Sequence, residues 1–250
     1  MKLAPSVRLL LLALLLVGVA AAGPVLAAPF KVALLVPADD PRLERSRLER
    51  GAPGHPGGPL ADALKVALSE AEPELAAAGT ALPLQVIEVA DATAARNAAA
   101  QAEKQGAAAL VTDLPAAWTL AVADAVKLPV LNAGSADDRL RQADCRRTLW
   151  HSAPSDRMKA DALAQFLAAR RWSNVLLLAG PSPDDSVRSA TAQAAIKRYG
   201  LKLVAVKPFK LSADPRERDL ANPLLLTGPT AGAYDVGWVI DGDGEVATPL

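Results

Sequence analysis

Short runs of Val, Leu and Ile alternate along the chain with longer alanine-rich segments whose apolar residues recur at helical spacing. That rhythm predicts parallel strands flanked by helices, because strands buried on both faces read as near-continuous apolar runs while crossover helices carry one apolar stripe. Strands are expected at residues 31–36, 84–89, 107–112 and 130–132, with a short fifth at 148–150. Helices are expected at 60–77, with Leu60, Leu64, Ala67, Leu68 and Leu75 on one face, and at 92–105 and 116–126. Pro73 is placed to kink the first of these or end it early, and Gly106 to end the second in a left-handed turn. The pattern then restarts. Ser155 reads as the N-cap of a helix running to residue 171, with Met158, Ala162, Phe166 and Ala169 as its apolar face. A strand at 174–179, a helix at 186–199 ended by Gly200, and strands at 202–206 and 236–240 follow. Residues 210–232 are polar and broken by proline, a loop with one helical turn. Two α/β lobes are therefore expected, over residues 28–151 and 152–250.

Residues 1–27 stand outside this scheme. Lys2 and Arg8 precede an apolar run at 9–19, and Val25-Leu26-Ala27 offers small residues for cleavage before Ala28, the layout of an export signal. The run falls short of the roughly 20 residues that a membrane-spanning helix needs. The single cysteine, Cys145, lies far from the cleavage site, so lipid attachment is not expected, and a soluble periplasmic product is. One cysteine also forms no internal disulfide, and Cys145 reads as inert.

Charge and composition remove function classes. Lys plus Arg and Asp plus Glu both number 27, and aromatic residues make up 4%, so nucleic acid is not an expected partner by bulk charge or by base stacking. Pro37-Ala38-Asp39-Asp40 stands where a dinucleotide fold carries its glycine-rich turn. There is no phosphate-binding Lys loop and no Gly-x-Ser-x-Gly elbow. His55 and His151, the two histidines, have no zinc-ligand spacing. Asp241-Gly242-Asp243-Gly244-Glu245 begins like a calcium loop, but Val246 occupies the position that needs glycine, leaving a strand-end turn as the reading. No catalytic residue, metal or cofactor is expected; an exported hydrolase working with carboxylates alone is the remaining enzyme alternative, and sequence does not pair its carboxylates.

Candidate binding residues gather after the strands, where open parallel sheets bind ligands. After the first strand come Asp39, Asp40 and Arg42, then His55 within Pro53-Gly54-His55-Pro56-Gly57-Gly58-Pro59, with the free N–H groups of the next helix as an anion acceptor. The alternative for this stretch is a long surface loop without a ligand, and the run Arg42–Arg50, with four arginines and two glutamates, reads as solvated. Asp113 follows the third strand. Asn132 and Ser135, in Asn132-Ala133-Gly134-Ser135, follow the fourth as hydrogen-bonding groups for a polar solute or as a plain turn into a helix. Trp118 and Trp150 are placed either to cover a ligand or as partial core.

The order of these elements resembles the branched-chain amino-acid type of periplasmic solute-binding protein. Asp39-Asp40-Pro41-Arg42, Pro53-Gly54-His55-Pro56, Ser135-Ala136-Asp137-Asp138, the segment Asp161-Ala162-Leu163-Ala164-Gln165-Phe166-Leu167-Ala168-Ala169-Arg170, Pro208-Phe209-Lys210-Leu211-Ser212 and Asp214-Pro215-Arg216-Glu217-Arg218-Asp219-Leu220 are similar to a narrower set. These are the ABC-transporter substrate-binding proteins associated with pyrroloquinoline-quinone-dependent alcohol dehydrogenase systems. The resemblance implies a type I periplasmic-binding fold of two Rossmann-like lobes, closing on a small-molecule solute and delivering it to an inner-membrane ABC permease. It also implies a place beside alcohol oxidation. A sensor or interaction protein that meets a quinoprotein dehydrogenase or cytochrome c is the alternative. Thr112-Asp113-Leu114-Pro115 and the Ser135-Ala136 pair depart from the usual amino-acid clamp, so another solute is expected. Members of that family extend past the length of this chain. The resemblance therefore implies either that this sequence is a piece of a longer protein or that its second lobe lacks part of its strands and, for residues 1–250 alone, weak or absent ligand binding.

Overall fold

In a computed structural model, the structure describes residues 30–43, 58–210, 214, 216, 226–228 and 233–242. The proposed export signal and His55 lie outside the described residues. In the first lobe, strands β1 (Val32–Pro37), β2 (Leu84–Val89), β3 (Ala109–Thr112), β4 (Val130–Asn132) and β5 (Leu149–His151) alternate with helices α1 (Leu60–Ala77), α2 (Ala92–Lys104) and α3 (Ala116–Ala125). The second carries α4 (Asp156–Ala169), β6 (Asn174–Ala179), α5 (Pro183–Arg198), β7 (Lys202–Pro208) and β8 (Val236–Ile240). Among the described residues every strand pairing is parallel, in the orders β2-β1-β3-β4-β5 and β7-β6-β8.

Strand register sorts the first sheet into two faces. On one, Ala33, Leu35, Leu110 and Val130 pack with the small buried residues Ala95, Ala99 and Ala102 of α2 and with Val122 of α3. Alanines let α2 approach the sheet closely, and each leucine or valine withdrawn from water there contributes about 1.5–3 kcal/mol. The opposite face bears one apolar row in register, Val86–Leu34–Val111–Leu131–Trp150. Burial along this row fails outward, from 0% exposure at Leu34 to 37% at Leu131 and 64% at Trp150. Helix α1 has no fully buried residue, and it runs unbroken through Pro73, which the sequence reading placed as a kink or stop. Ala67, assigned there to the apolar face of α1, is exposed.

The second sheet is centred on β6, whose Val175, Leu176, Leu177 and Leu178 are all buried. Val175 and Leu177 pack with Ala160, Ala164 and Leu167 of α4 and with Ala192, Ala195 and Ile196 of α5, while Leu176 and Leu178 meet Phe209 on the other face. The expected apolar face of α4 is thus displaced around the helix. Met158 and Phe166 are exposed, as are Ala162 and Ala169, because the narrow contact with β6 takes small residues instead. Arg170 lies over the rings of both Phe166 and Trp172 on that exposed side. Helix α5 begins three residues earlier than expected. Ser182 accepts from the Asp185 amide while the Asp185 carboxylate accepts from the Ser182 amide, a reciprocal cap closed by Pro183 in the first turn.

Candidate functional site

In a sheet ordered 2-1-3-4-5 the chain turns in opposite directions from β1 and β3, opening a crevice at their carboxyl ends. Asp40 and Arg42 follow β1, and Asp113 follows β3, so three of the nominated residues meet there. Arg42 grips Asp40 through Nε, at 2.9 and 3.1 Å from the two carboxylate oxygens, and through Nη2 at 2.6 Å. Its Nη1 donates to Asp113 Oδ1 at 3.0 Å. The Arg42 amide also donates to Asp40 Oδ1, folding the 3-10 turn Pro41–Leu43 onto the strand end. The Arg42 guanidinium hydrogen bonds hold the Asp40 carboxyl below the usual carboxylate range against the opposing effect of burial. Asp40, foremost, and Asp113 raise the pKa of Arg42 above its ordinary value. Among the described residues, two carboxylates share this one guanidinium. Asp39 is exposed and makes none of these bonds.

A second group lies in the row Leu35–Thr112–Asn132–His151, on the face opposite Trp150. Asn132 is 1% exposed, and its bonds are internal. Oδ1 accepts from the Ser135 amide at 2.9 Å, and Nδ2 donates to the Ser135 carbonyl at 2.7 Å. The amide orientation is therefore fixed, and Nδ2, 3.1 Å from His151 Nδ1, faces a ring nitrogen that must be unprotonated. Ser135 Oγ accepts from the Asp137 amide. Asn132 and Ser135 thus spend most of their hydrogen bonds building the loop at 133–138. Thr112 Oγ1 and Arg141 Nη1 are buried in this region without a hydrogen-bond partner.

This loop also joins the lobes. Asp138 accepts from the Ser155 hydroxyl at 2.6 Å and from the Arg157 amide at 3.0 Å, and the Asp156 amide donates to the Ala136 carbonyl at 3.0 Å. A first-lobe carboxylate therefore completes the N-terminal capping of α4, alongside Ser155, which accepts from the Met158 amide. The sequence showed the Ser155 cap but not its partner from the other lobe.

Burial, followed by the nearby Arg141 charge, lowers the pKa of His151 below its ordinary 6.5, against a smaller raising effect from the Leu140 backbone. The unfolded chain then binds this proton at higher pH than the folded one, so stability is full above 6.5 and falls as pH drops toward the folded value. Urea midpoints measured from pH 7.5 to 5 are expected to fall for the wild type and to fall less for His151→Gln. Equal slopes would show that His151 is not the responsible group.

Trp150, on the other face, makes no hydrogen bond or ring contact with these groups among the described residues, and its indole is mostly in solvent. Trp118 packs partly buried against the first core. An open cavity of about 570 Å³ lies between α1 and residues 80–83. Those residues lead into β2, so the cavity sits at the amino ends of the strands, away from the crevice. Pro59, the N-cap residue of α1, offers no side-chain cap. Among the described residues no cluster of His, Cys, Asp or Glu is arranged to hold a metal, and no helix is long and apolar enough to cross a membrane. Cys145 is exposed.

No protein-family model matches the chain, and no curated protein does. Solved structures do. The fold matches a putative branched-chain amino-acid ABC transporter protein from Rhodospirillum rubrum at 12% identity and a TM-score of 0.63, covering 88% of this chain and 60% of that one. An ABC-transporter substrate-binding protein from Desulfitobacterium hafniense in complex with Leu matches at 14% identity and a TM-score of 0.60, covering 89% and 61%. A solute-binding protein of an R. palustris ABC transporter in complex with benzoate matches at 11% and 0.55, covering 87% and 56%. The chain spans about three fifths of the length of these structures. The α/β architecture with two parallel sheets is that of type I periplasmic binding proteins.

Proposed function

We propose that this protein is the solute-binding component of an ABC importer, working in the periplasm without catalysis and delivering a small polar solute to an inner-membrane permease. The observation that carries the reading is the crevice at the carboxyl ends of β1 and β3, where Asp40, Arg42 and Asp113 form one ionic group in a fold shared with transporter-associated binding proteins. The sequence resemblance to substrate-binding proteins of quinone-dependent alcohol oxidation supports a solute from that chemistry, an alcohol or the acid it yields. The departures after β3 and β4 support a solute other than an amino acid. Binding is expected to be detectable at millimolar solute, where Kd near 1 mM corresponds to about −4 kcal/mol.

Titration of isotope-labelled protein with short alcohols, their acids, amino acids and pyrroloquinoline quinone tests this. Shifts of the Asp40, Arg42, Asp113 and Gly134 amides are expected with at least one solute at up to roughly 20 mM, a concentration that populates a complex of millimolar Kd. No shift with any class would overturn the proposal. A second reading, an interaction protein for a quinoprotein dehydrogenase or cytochrome c, draws on the exposed stripe of α4 and the turn after it, where Met158, Phe166 and Trp172 stand 54, 49 and 40% exposed. Shifts confined to α4 on adding such a protein, with none from solutes, would favour it.

A further inference from the structure

The second sheet has its own reversal of direction. In the order β7-β6-β8 the chain moves to opposite sides of β6, so the carboxyl ends of β6 and β8 flank a second crevice. Gly180 follows β6, and Asp241 and Gly242 follow β8. Between them stand two residues of α5, Asp185 and Arg188, which the sequence reading did not nominate.

Their hydrogen bonds divide the two roles. Asp185, 3% exposed, is committed to the fold: Oδ1 accepts from the Gly242 amide at 2.7 Å and Oδ2 from the Ser182 amide at 3.2 Å. Gly180 and Gly242 leave room for this. A Cβ at Gly180 would stand 2.5 Å from Asp185 Oδ2, and one at Gly242 would stand 2.9 Å from Oδ1. Arg188 is committed far less. Among the described residues its single partner is Asp156, reached from Nε at 3.4 Å, and Nη1 and Nη2 carry no hydrogen bond. Nη1 lies where a side chain on residue 242 would begin, 2.4 Å from the ideal Cβ position. The absence of a side chain there seats the guanidinium at the strand ends.

The position faces the other lobe. Asp156, which Arg188 touches, donates its amide to Ala136 of the loop that follows β4. Among the described residues the first rim offers no comparable free guanidinium, since the nitrogens of Arg42 are turned to Asp40 and Asp113. An anion entering between the lobes finds the guanidinium of the first rim taken by Asp40 and Asp113, and finds Nη1 and Nη2 of Arg188 open among the described residues.

We propose that Arg188 is the second lobe's ligand-binding residue, taking the carboxylate of a small organic acid through Nη1 and Nη2. The planar fork suits a two-oxygen acceptor, and charge-assisted pairs of this geometry are the strong ones. The polar end of the same solute then faces Asp40, Arg42 and Asp113. This rests on the solute-binding reading above and adds the charge and the orientation of the solute.

Matched probes separate the two. Acetate and benzoate are titrated against acetamide and benzamide, with binding read from amide shifts in wild type, Arg188→Gln, Gly242→Ala and the charge control Arg171→Gln. The acids are expected to bind wild type and the control alike, and to bind Arg188→Gln at least tenfold more weakly. Gly242→Ala, which displaces the guanidinium without removing its charge, is expected to weaken the acids too. Amide-probe binding should be the same in all four proteins. Dispersed spectra establish that each variant is folded, and Arg188→Lys replaces any that is not, with a smaller loss expected because the fork is gone and the charge kept. Acids that bind Arg188→Gln as tightly as wild type overturn the inference. Amides or alcohols that bind while acids do not also overturn it, and leave the solute-binding reading standing. No binding by any solute class overturns both.

Discussion

Replacing Gly134 by alanine is expected to destabilise the first lobe by about 3 kcal/mol. A Cβ at this position would stand 2.3 Å from Asp113 Oδ1, 2.7 Å from Asp113 Cα and 2.8 Å from its carbonyl carbon. A clash with a side-chain tip is relieved by a rotamer change. Here two of the three atoms are backbone, and that backbone is held by the Asp113 amide bond to Leu35 and by the Ala133 and Gly134 amide bonds to Thr112. The loop after β4 therefore has to lift from the end of β3, or Asp113 has to leave Arg42. Either movement disturbs the crevice as well as the core, so Gly134→Ala should lower Tm by roughly 10 °C and also shift the Asp40 and Arg42 amides. Gly106→Ala is the comparison. Gly106 has φ of +84° with nothing within 4 Å of its Cβ position, so only local backbone strain of about 1–2 kcal/mol is at stake. Gly134→Ala no more destabilising than Gly106→Ala would mean that the approach of the two loops is not tight in solution.

Asn132→Ala is expected to cost a similar amount, about 3 kcal/mol, by a different route. The substitution leaves the Ser135 amide and carbonyl without their side-chain partner in a part-buried setting, and each buried group left unsatisfied costs about 1–3 kcal/mol. Because the loop at 133–138 carries Asp138, the damage should travel. Asp138 holds the Ser155 hydroxyl and the Arg157 amide at the start of α4. Amide exchange at Ser135 and at Arg157 should therefore accelerate together in Asn132→Ala, although Arg157 lies in the other lobe. Asn132→Asp tests the donor alone, since Nδ2 is replaced by an oxygen facing the Ser135 carbonyl, and it should also be destabilising. Stability within about 0.5 kcal/mol of wild type, the range of a neutral surface change, would show that Asn132 does not organise the loop.

The legible parts of this protein follow a simple division. Strands at 84–89, 130–132, 174–179 and 236–240 were placed to the residue, as was the helix at 60–77, because local apolar runs and periodicity decide those elements. The start of α5 is equally legible in Ser182-Pro183-Asp184-Asp185, a cap sequence that begins the helix three residues before the expected Ser186. The face of α4 was not available. Two apolar stripes run along that helix, and composition favours the bulkier one, whereas close approach to β6 favours Ala160 and Ala164. The site shows the same division. Position after a strand was enough to nominate Asp40, Arg42, Asp113, Asn132 and Ser135. It did not reveal that Arg42 is spent on two carboxylates, or that Asn132 and Ser135 largely satisfy each other.

By itself, the sequence determined the succession of elements, the parallel α/β class and the strand ends where polar residues collect, since each depends on neighbours a few positions away. Tertiary structure alone decided which charges remain open. Asp113 meets Arg42 across 71 residues, Asp185 meets Gly242 across 57, and Arg188 meets Asp156 across 32. Whether a guanidinium is neutralised depends on which carboxylates strand order brings to it, and strand order is set by packing across the whole sheet.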